Sequence, residues 1–495
     1  MFLLKLQSFY QSIFQYAREH KWPISYGISL ILTLGAIAIL IPEYYWGQPS
    51  QREQYSSKSI DSRPIRTVAD FNDFRAKIDR LCQLPKEIRA EKGYTWCPPD
   101  GQIQYIPTGF FIQSIDFINS SDVHITGYIW QKTPEGVVAS ENEESTCKFI
   151  FPDTVYSPDY LLIEKRDNPN SPNTTLCYFE AALRENFDYG KYPFDRKIVW
   201  IRVWTGSSDF LPILKPAFED YELTPTTERG QILDLENTPL PIEGFIDPEA
   251  VIPGEFGKPE DIYFSYRQHK YLTTMGSVGC QKGDIEVGCF EKDHPELYFN
   301  IVLRREPGTA LFLYGVPLVV TAMVLCATLM MLVKDQNLAQ QYGLDTFGIL
   351  GVCVSLFFAL LISQAQIRVE FTGPLVYIEQ LYTVMYVTIA LVAVDAYLFF
   401  KDDDDSKFSL FIRKQDNLYF KLFYWPFICT CFFLTTLWYV YLDRNFPNRQ
   451  FFCYKHGDNI LSSVCKNWSD RQLRERKLLP ADVQQPTRVA DKPSE

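Results

Sequence analysis

The chain has 495 residues, with 48 Lys plus Arg against 60 Asp plus Glu and a formal net charge of −12. That length allows two or three domains. The acidic balance excludes a nucleic-acid binder, which needs a basic face, and a protein held on anionic lipid by a polybasic patch. Aromatics are abundant, at 37 Phe, 30 Tyr and 9 Trp, and many flank the apolar spans, where rings favour the headgroup level of a bilayer.

The first apolar span runs from about Ile24 to Ile41. The segment before it carries Lys5, Arg18 and Lys21, and its exit reads Pro42-Glu43-Tyr44-Tyr45-Trp46 where a secretory signal would show small residues. The expectation is a retained anchor, residues 1–46, with its start in the cytoplasm. Residues 47–66 are polar and rich in Ser, Arg and Gln. Val68 to Leu81 then spaces apolar residues at helical intervals, with Asp70 early and Arg80 late, as a helix dipole prefers. Residues 47–101 therefore read as a linker with a short amphipathic helix.

From Gln102 the apolar period changes to two. Gly109–Phe117 and Val123–Trp130 read as strands joined by the turn cluster Asn119-Ser120-Ser121-Asp122. Leu161–Lys165, Cys177–Leu183, Lys197–Trp204, Ile262–Tyr271 and Glu296–Arg304 continue the series. Residues 102–306 are expected to form an all-β sandwich of roughly eight to ten strands. Within it, residues 206–258 are Pro-rich, acidic and too long for an ordinary loop.

Four further spans follow at Ala310–Val333, Phe347–Ile362, Leu381–Phe400 and Leu422–Leu442. A hydrocarbon core of about 30 Å needs ~20 helical residues, so the Phe347 span is short and must borrow Thr346, Ser363 or Gln364. The expected layout is one extra N-terminal helix plus a four-helix block, residues 307–442, in a plasma or inner membrane. Five crossings place the β-domain and the tail, residues 443–495, outside the cytoplasm. Loop charges do not decide the matter, because Lys401, Lys407, Arg413 and Lys414 stand beside the run Asp402–Asp405. Cysteines agree with the layout. Cys82, Cys97, Cys147, Cys177, Cys280 and Cys289 fall in the outer domain and Cys453 and Cys465 in the tail, even numbers in both, as disulfides require. Their pairing stays open, with 82–97, 280–289 and 453–465 as local options. Cys326, Cys353, Cys429 and Cys431 lie in spans as small apolar residues.

Three motifs occur in order along the chain. The first is Phe187-Asp188-Tyr189-Gly190-Lys191-Tyr192-Pro193-Phe194-Asp195-Arg196-Lys197 before a strand. The second is Arg304-Arg305-Glu306-Pro307 with Pro317 ten residues on. The third is Tyr377-Ile378-Glu379 opening a span that holds Asp395. Together they resemble the pentameric ligand-gated (Cys-loop-type) ion channel superfamily over residues 102–442. No cysteines flank Tyr192–Asp195, so the bridge that named the animal receptors is missing, as in bacterial relatives. The N-terminal anchor is an addition, and the presumed pore helix is unusually apolar.

The resemblance implies a homopentamer that passes inorganic ions in response to a small-molecule ligand or protons, embedded in lipid, with no cofactor. It places a pore face on Asp345, Gly348, Val352, Ser355, Ala359 and Ile362, with Asp345 as a carboxylate ring selecting cations. Close helix packing is the competing explanation of the small residues there. It places gating coupling on Tyr192, Phe194 and Asp195, which would press on the linker after the pore helix (Arg368–Pro374), and on Arg304 or Arg305 as the partner of Asp195. A simple turn with Asp195 capping its own backbone competes with that role. It places an aromatic ligand pocket at Trp200, Trp204, Tyr263 and Tyr266 with the Cys280–Cys289 hairpin tip, suited to amines through cation–π attraction; such residues on strands otherwise belong to the core. Asp395, inside a span, should be paired by a hydroxyl or amide of a neighbouring helix.

Enzymatic readings fare poorly. There is no His-Glu-x-x-His, no Gly-rich phosphate loop and no Gly-x-Ser-x-Gly, and the 5 His are scattered. The competing function is a non-conducting sensor or adhesion protein whose helices serve only as an anchor, an idea supported by the apolar Phe347–Ile362 span.

Overall fold

The computed structural model describes residues 21–46, 64–85, 87–89, 97–98, 103–133, 149–156, 158–166, 173–205, 212–221, 236–252, 255–268, 294–332, 346–371, 375–400 and 417–439. Asp345, Cys147, the 280–289 and 453–465 cysteine pairs and the acidic run 402–405 lie outside these residues.

Side-chain alternation sets the β-domain. Strands β1 (Tyr105–Phe117) and β2 (Asp122–Thr133) pair antiparallel. The Asn119 side-chain oxygen accepts the Ser121 and Asp122 amides at 2.8 and 2.9 Å and so closes their turn. Gly109 faces Trp130 across this pair, and a Cβ there would lie 2.2 Å from the indole ring, so glycine is required by space. Further strands are β3 (Phe149–Ile150), β4 (Asp159–Arg166), β5 (Asn173–Arg184), β6 (Arg196–Thr205), β7 (Ile213–Pro216), β8 (Ile246–Val251), β9 (Asp261–Gln268) and β10 (Pro295–Arg304). One sheet has the order β4-β5-β2-β1-β7 with β8 also pairing β1; the other has the order β3-β6-β10-β9. Both sheets feed one apolar core, where the Phe110 ring from the first stacks on Phe299 of the second at 4.9 Å.

Two differences from the sequence reading concern what belongs to this core. Residues 206–258 contain β7 and β8, which lie parallel to β1, and supply buried Phe218, Tyr221 and Phe245. The helix α2 (Val68–Cys82), assigned to a linker, starts at a Thr67–Asp70 capping box and buries Phe71, Phe74, Ile78 and Cys82. Phe74 stacks on Tyr266 at 4.0 Å, and a Cys82–Cys97 disulfide fastens the helix end. Cys177 is disulfide-bonded as well.

Among the described residues, five helices are long and apolar enough to cross a membrane: α1 (Lys21–Trp46), α3 (Pro307–Met330), α4 (Thr346–Glu370), α5 (Tyr377–Phe400) and α6 (Leu418–Leu437). They and the β-rich domain are those of an integral membrane protein. The second span of the block is longer than expected: α4 has 25 residues and runs eight past Ile362 to Glu370. A π-turn at Leu311–Gly315 interrupts α3 just before Pro317, and the Tyr382 hydroxyl donates to the Tyr314 carbonyl there at 2.8 Å. Asp395 is held by the Asn417 amide at 2.5 Å, with Asn417 in the left-handed region at φ 60° to open α6.

Helix α1 packs along α6. Pro426 has no N–H, so it leaves the Leu422 carbonyl without its helical donor, and the Ser25 hydroxyl of α1 donates to that carbonyl at 2.5 Å. Thr33 meets Cys429 at 3.4 Å, and a Cβ at Gly35 would lie 3.2 Å from the Phe433 ring. Contact positions rise together along both helices, so α1 and α6 run parallel.

Candidate functional site at the domain junction

The turn from Phe187 to Asp195 leaves β5 and enters β6 at the membrane end of the β-domain. Asp188 accepts the Gly190 amide at 2.8 Å, the Tyr192 amide donates to the Tyr189 carbonyl at 2.9 Å, and the Phe194 amide donates to the Lys191 carbonyl at 2.7 Å. The Tyr192–Pro193 peptide is cis. These local bonds present Tyr189 and Tyr192 to the end of α4, where their rings lie 4.6 and 4.5 Å from Phe371. Phe194 meets Tyr377 at the start of α5 at 6.1 Å, and the Tyr377 amide donates to the Gly190 carbonyl at 2.9 Å. One turn therefore touches both sides of the α4–α5 connection.

Behind the turn lies a buried charge cluster. Asp195 pairs with Arg305 Nε at 2.9 Å through one oxygen and with Lys197 Nζ at 2.7 Å through the other, and all three residues are buried. Lys197 also donates to the Asp188 carbonyl at 2.6 Å and stands 3.5 Å from the Tyr189 ring centre. Arg305 reaches Glu255 and lies 4.9 Å from the Tyr192 ring. Burial alone would push the Asp195 carboxyl up, but Arg305 and Lys197 together outweigh it and hold it below the ordinary carboxylate range. Burial, opposed by Asp195, pulls the Lys197 ammonium down to about 8.

Of the five residues expected to couple the domains, Tyr192, Phe194, Asp195 and Arg305 converge here. Arg304 does not. As the outward residue of β10 it pairs with Glu260 at 2.9 Å and covers the Tyr44 ring of α1 at 4.8 Å. The neighbouring Arg196 donates to the Tyr44 carbonyl at 2.9 Å. Arg368, expected beyond the pore helix, lies in the last turn of α4 and binds buried Glu379 of α5 at 2.6 Å. Tyr189 and Lys197 lie within the motif read from sequence and Phe371 within the Arg368–Pro374 linker, but none was given a role there; Glu255 carried no signal.

The four aromatic residues of the expected ligand pocket are not brought together. Tyr266 points inward, buried against Phe74, with its hydroxyl on the Leu214 carbonyl. Trp200, Trp204 and Tyr263 lie on the outer face of the β6-β10-β9 sheet, because residues 263 and 266 are an odd number apart on one strand. Each outer aromatic is covered by an arginine of the same chain: Arg267 lies 5.3 Å from Trp200, Arg202 5.5 Å from Trp204 and Arg66 5.1 Å from Tyr263. Arg202 pairs with Asp153 and Glu296 on this face. Glu185 accepts the Trp200 amide at 3.1 Å, and burial, with nearby Asp153, pushes its carboxyl well above the usual range.

On α4, Gly348 and Val352 are half-buried, while Ser355, Ala359 and Ile362 are exposed. The Ser355 hydroxyl donates to the Gly351 carbonyl of its own helix at 2.8 Å. The side turned furthest from the other helices carries Phe347, Val354, Phe358 and Val369, opposite buried Ile349, Cys353, Leu360 and Ile367. Among the described residues no group of His, Cys, Asp and Glu could hold a metal ion.

No model of a known protein family matches the chain, and no curated protein matches it in sequence.

Proposed function

We propose that the chain is one subunit of a homopentameric, ligand- or pH-gated channel that passes cations, with the β-domain and tail outside the cytoplasm. The observation that carries this reading is the turn Tyr189–Asp195, fixed to Arg305 by buried charge and seated on both Phe371 and Tyr377. Movement of β6 and β10 would pass through it to the end of α4, the helix that carries the expected pore face. Arginines of the same chain lie over Trp200, Trp204 and Tyr263, so an amine ligand there would compete with cations already in place.

A second reading, a non-conducting membrane sensor, draws on α4 itself. Its uncovered face is mainly Phe, Val, Leu and Ile, and Ser355 spends its hydroxyl on its own backbone. Particle mass and symmetry in detergent, followed by bilayer recording across pH and ligands, separate the two. Five-fold particles with gated currents, and a reversal potential altered by Asp345→Asn, support the channel. Pentamers silent under every condition leave the sensor, and monomeric or two-fold particles remove the pore altogether.

A further inference from the structure

We propose that α1 is a strap that ties the membrane end of β9 and β10 to α6, so that movement of the β-domain reaches the last helix by a route separate from the turn Tyr189–Asp195. One end of the strap is held by charge. A helix leaves its last four carbonyls without intrahelical donors, and the negative end of its dipole faces outward there. In α1 the Tyr44 carbonyl is one of these, and it accepts from Arg196 of β6 at 2.9 Å. Arg304, the last residue of β10, lies over the Tyr44 ring at 4.8 Å. Glu260, just before β9, pairs with Arg196 at 2.7 Å and with Arg304 at 2.9 Å, and so gathers three strands around the end of one helix. The chain then returns to the same edge. Arg66 binds Asp261, the neighbour of Glu260, at 2.6 Å, and the Ile65 amide donates to the Phe264 carbonyl of β9 at 2.7 Å.

The rest of the strap is held by shape. Ser25, Thr33 and Gly35 all face α6, where they meet the Leu422 carbonyl, Cys429 and the Phe433 ring. A span that only anchored the chain would need apolar length and none of these fitted positions. Helix α6 is fixed in turn to its neighbours. The Tyr424 hydroxyl donates to the Ala322 carbonyl of α3 at 2.7 Å, and Thr436 meets the Tyr377 hydroxyl of α5 at 2.9 Å. A closed circuit results, from β10 through Tyr44, α1 and α6 back to α3 and α5. Arg304, which takes no part in the Asp195 cluster, has its place in this circuit. The strap lies within a single chain, so it stands apart from five-fold assembly and conduction.

The test is hydrogen exchange by mass spectrometry on the full chain in phosphatidylcholine nanodiscs, read at the corner where β9 and β10 meet α3. There the amides of Gly257, Glu260 and Glu306 donate to the carbonyls of Arg304, Val302 and Glu255 at 3.0, 2.8 and 2.7 Å. Their exchange reports local opening. Gly35→Leu, which must push Phe433 aside, should speed exchange at this corner severalfold and leave the β2–β5 pair at the native rate. Glu260→Gln cuts the charged attachment, so adding Gly35→Leu to it should change the corner little further. If Gly35→Leu does not fold, Thr33→Cys oxidised onto Cys429 locks α1 to α6 instead, and the corner should exchange more slowly than in the reduced form. Corner exchange at the native rate in Gly35→Leu, with changes confined to α1 and α6, would overturn the strap. So would a full added effect of Gly35→Leu in the Glu260→Gln background, or a corner indifferent to the Thr33→Cys cross-link.

Discussion

The junction at Asp195 and the outer face of the β6-β10-β9 sheet both bury carboxyl groups, and they treat them in opposite ways. Asp195 has two cations within 2.9 Å and is held ionised. Glu185 has one backbone amide at 3.1 Å and a second acid, Asp153, nearby, and burial pushes its carboxyl well above the usual range although Arg267 opposes it. The contrast teaches that burial depth does not set the charge of a buried acid. The count of cations that can reach its oxygens does. At the junction this makes a rigid, oriented link between β6, β10 and the first helix of the block. On the sheet face it favours a carboxyl that accepts the Trp200 amide with less need of charge.

The largest effect expected is that of Asp195→Asn. It strands Lys197 and Arg305 as buried cations, and removing one partner of a buried charge network costs about 3–5 kcal/mol. Thermal unfolding in detergent should show a large fall in Tm; a change within about 1 kcal/mol would mean the junction is open to water. Lys197→Met should cost less, because it removes a cation whose burial is already unfavourable. The sign follows from the lowered value of about 8 against an unfolded value of 10.5. Between those limits the unfolded chain binds more protons, so native stability rises with pH from 8 towards 10.5. Lys197→Met should erase that rise, and an unaltered slope would assign it to other groups.

The smallest effect is expected for Glu185→Gln, which preserves the acceptor for the Trp200 amide. A raised carboxyl contributes stability below its unfolded value, about 4.3, and loses it as pH climbs towards the folded value. The variant should therefore match the native protein near pH 4 and equal or exceed its Tm at pH 7. A lower Tm at pH 7 would show Glu185 to be ionised and paired, and would dissolve the contrast with Asp195.

Much of the architecture was legible because two periods dominate the sequence. Among the described residues, alternation placed seven of the ten strands, and long apolar runs placed the five membrane-length helices. What failed was short or mixed. Strands β7 and β8 have four and six residues, and both include proline. The end of α4 was placed early because Gln364, Gln366 and Arg368 dilute its hydropathy, although an ion pair to Glu379 continues the helix. At the junction, the compact motif before β6 located Tyr192, Phe194 and Asp195, since a turn fixes neighbours that are close in sequence. The aromatic pocket was spread over two strands, where only parity decides the face. The odd spacing of Tyr263 and Tyr266 already carried that signal.

The Ser25 hydroxyl and the carbonyl freed by Pro426 are separated by 397 positions. At roughly 5–20 residues per second of synthesis, that gap is about 20–80 s. Throughout this interval the first helix must persist in the bilayer without its mate, and the last one arrives carrying an acceptor that lipid cannot satisfy. Pairing of α1 with α6 is therefore a late event in assembly, in which two helices far apart in the sequence close the bundle.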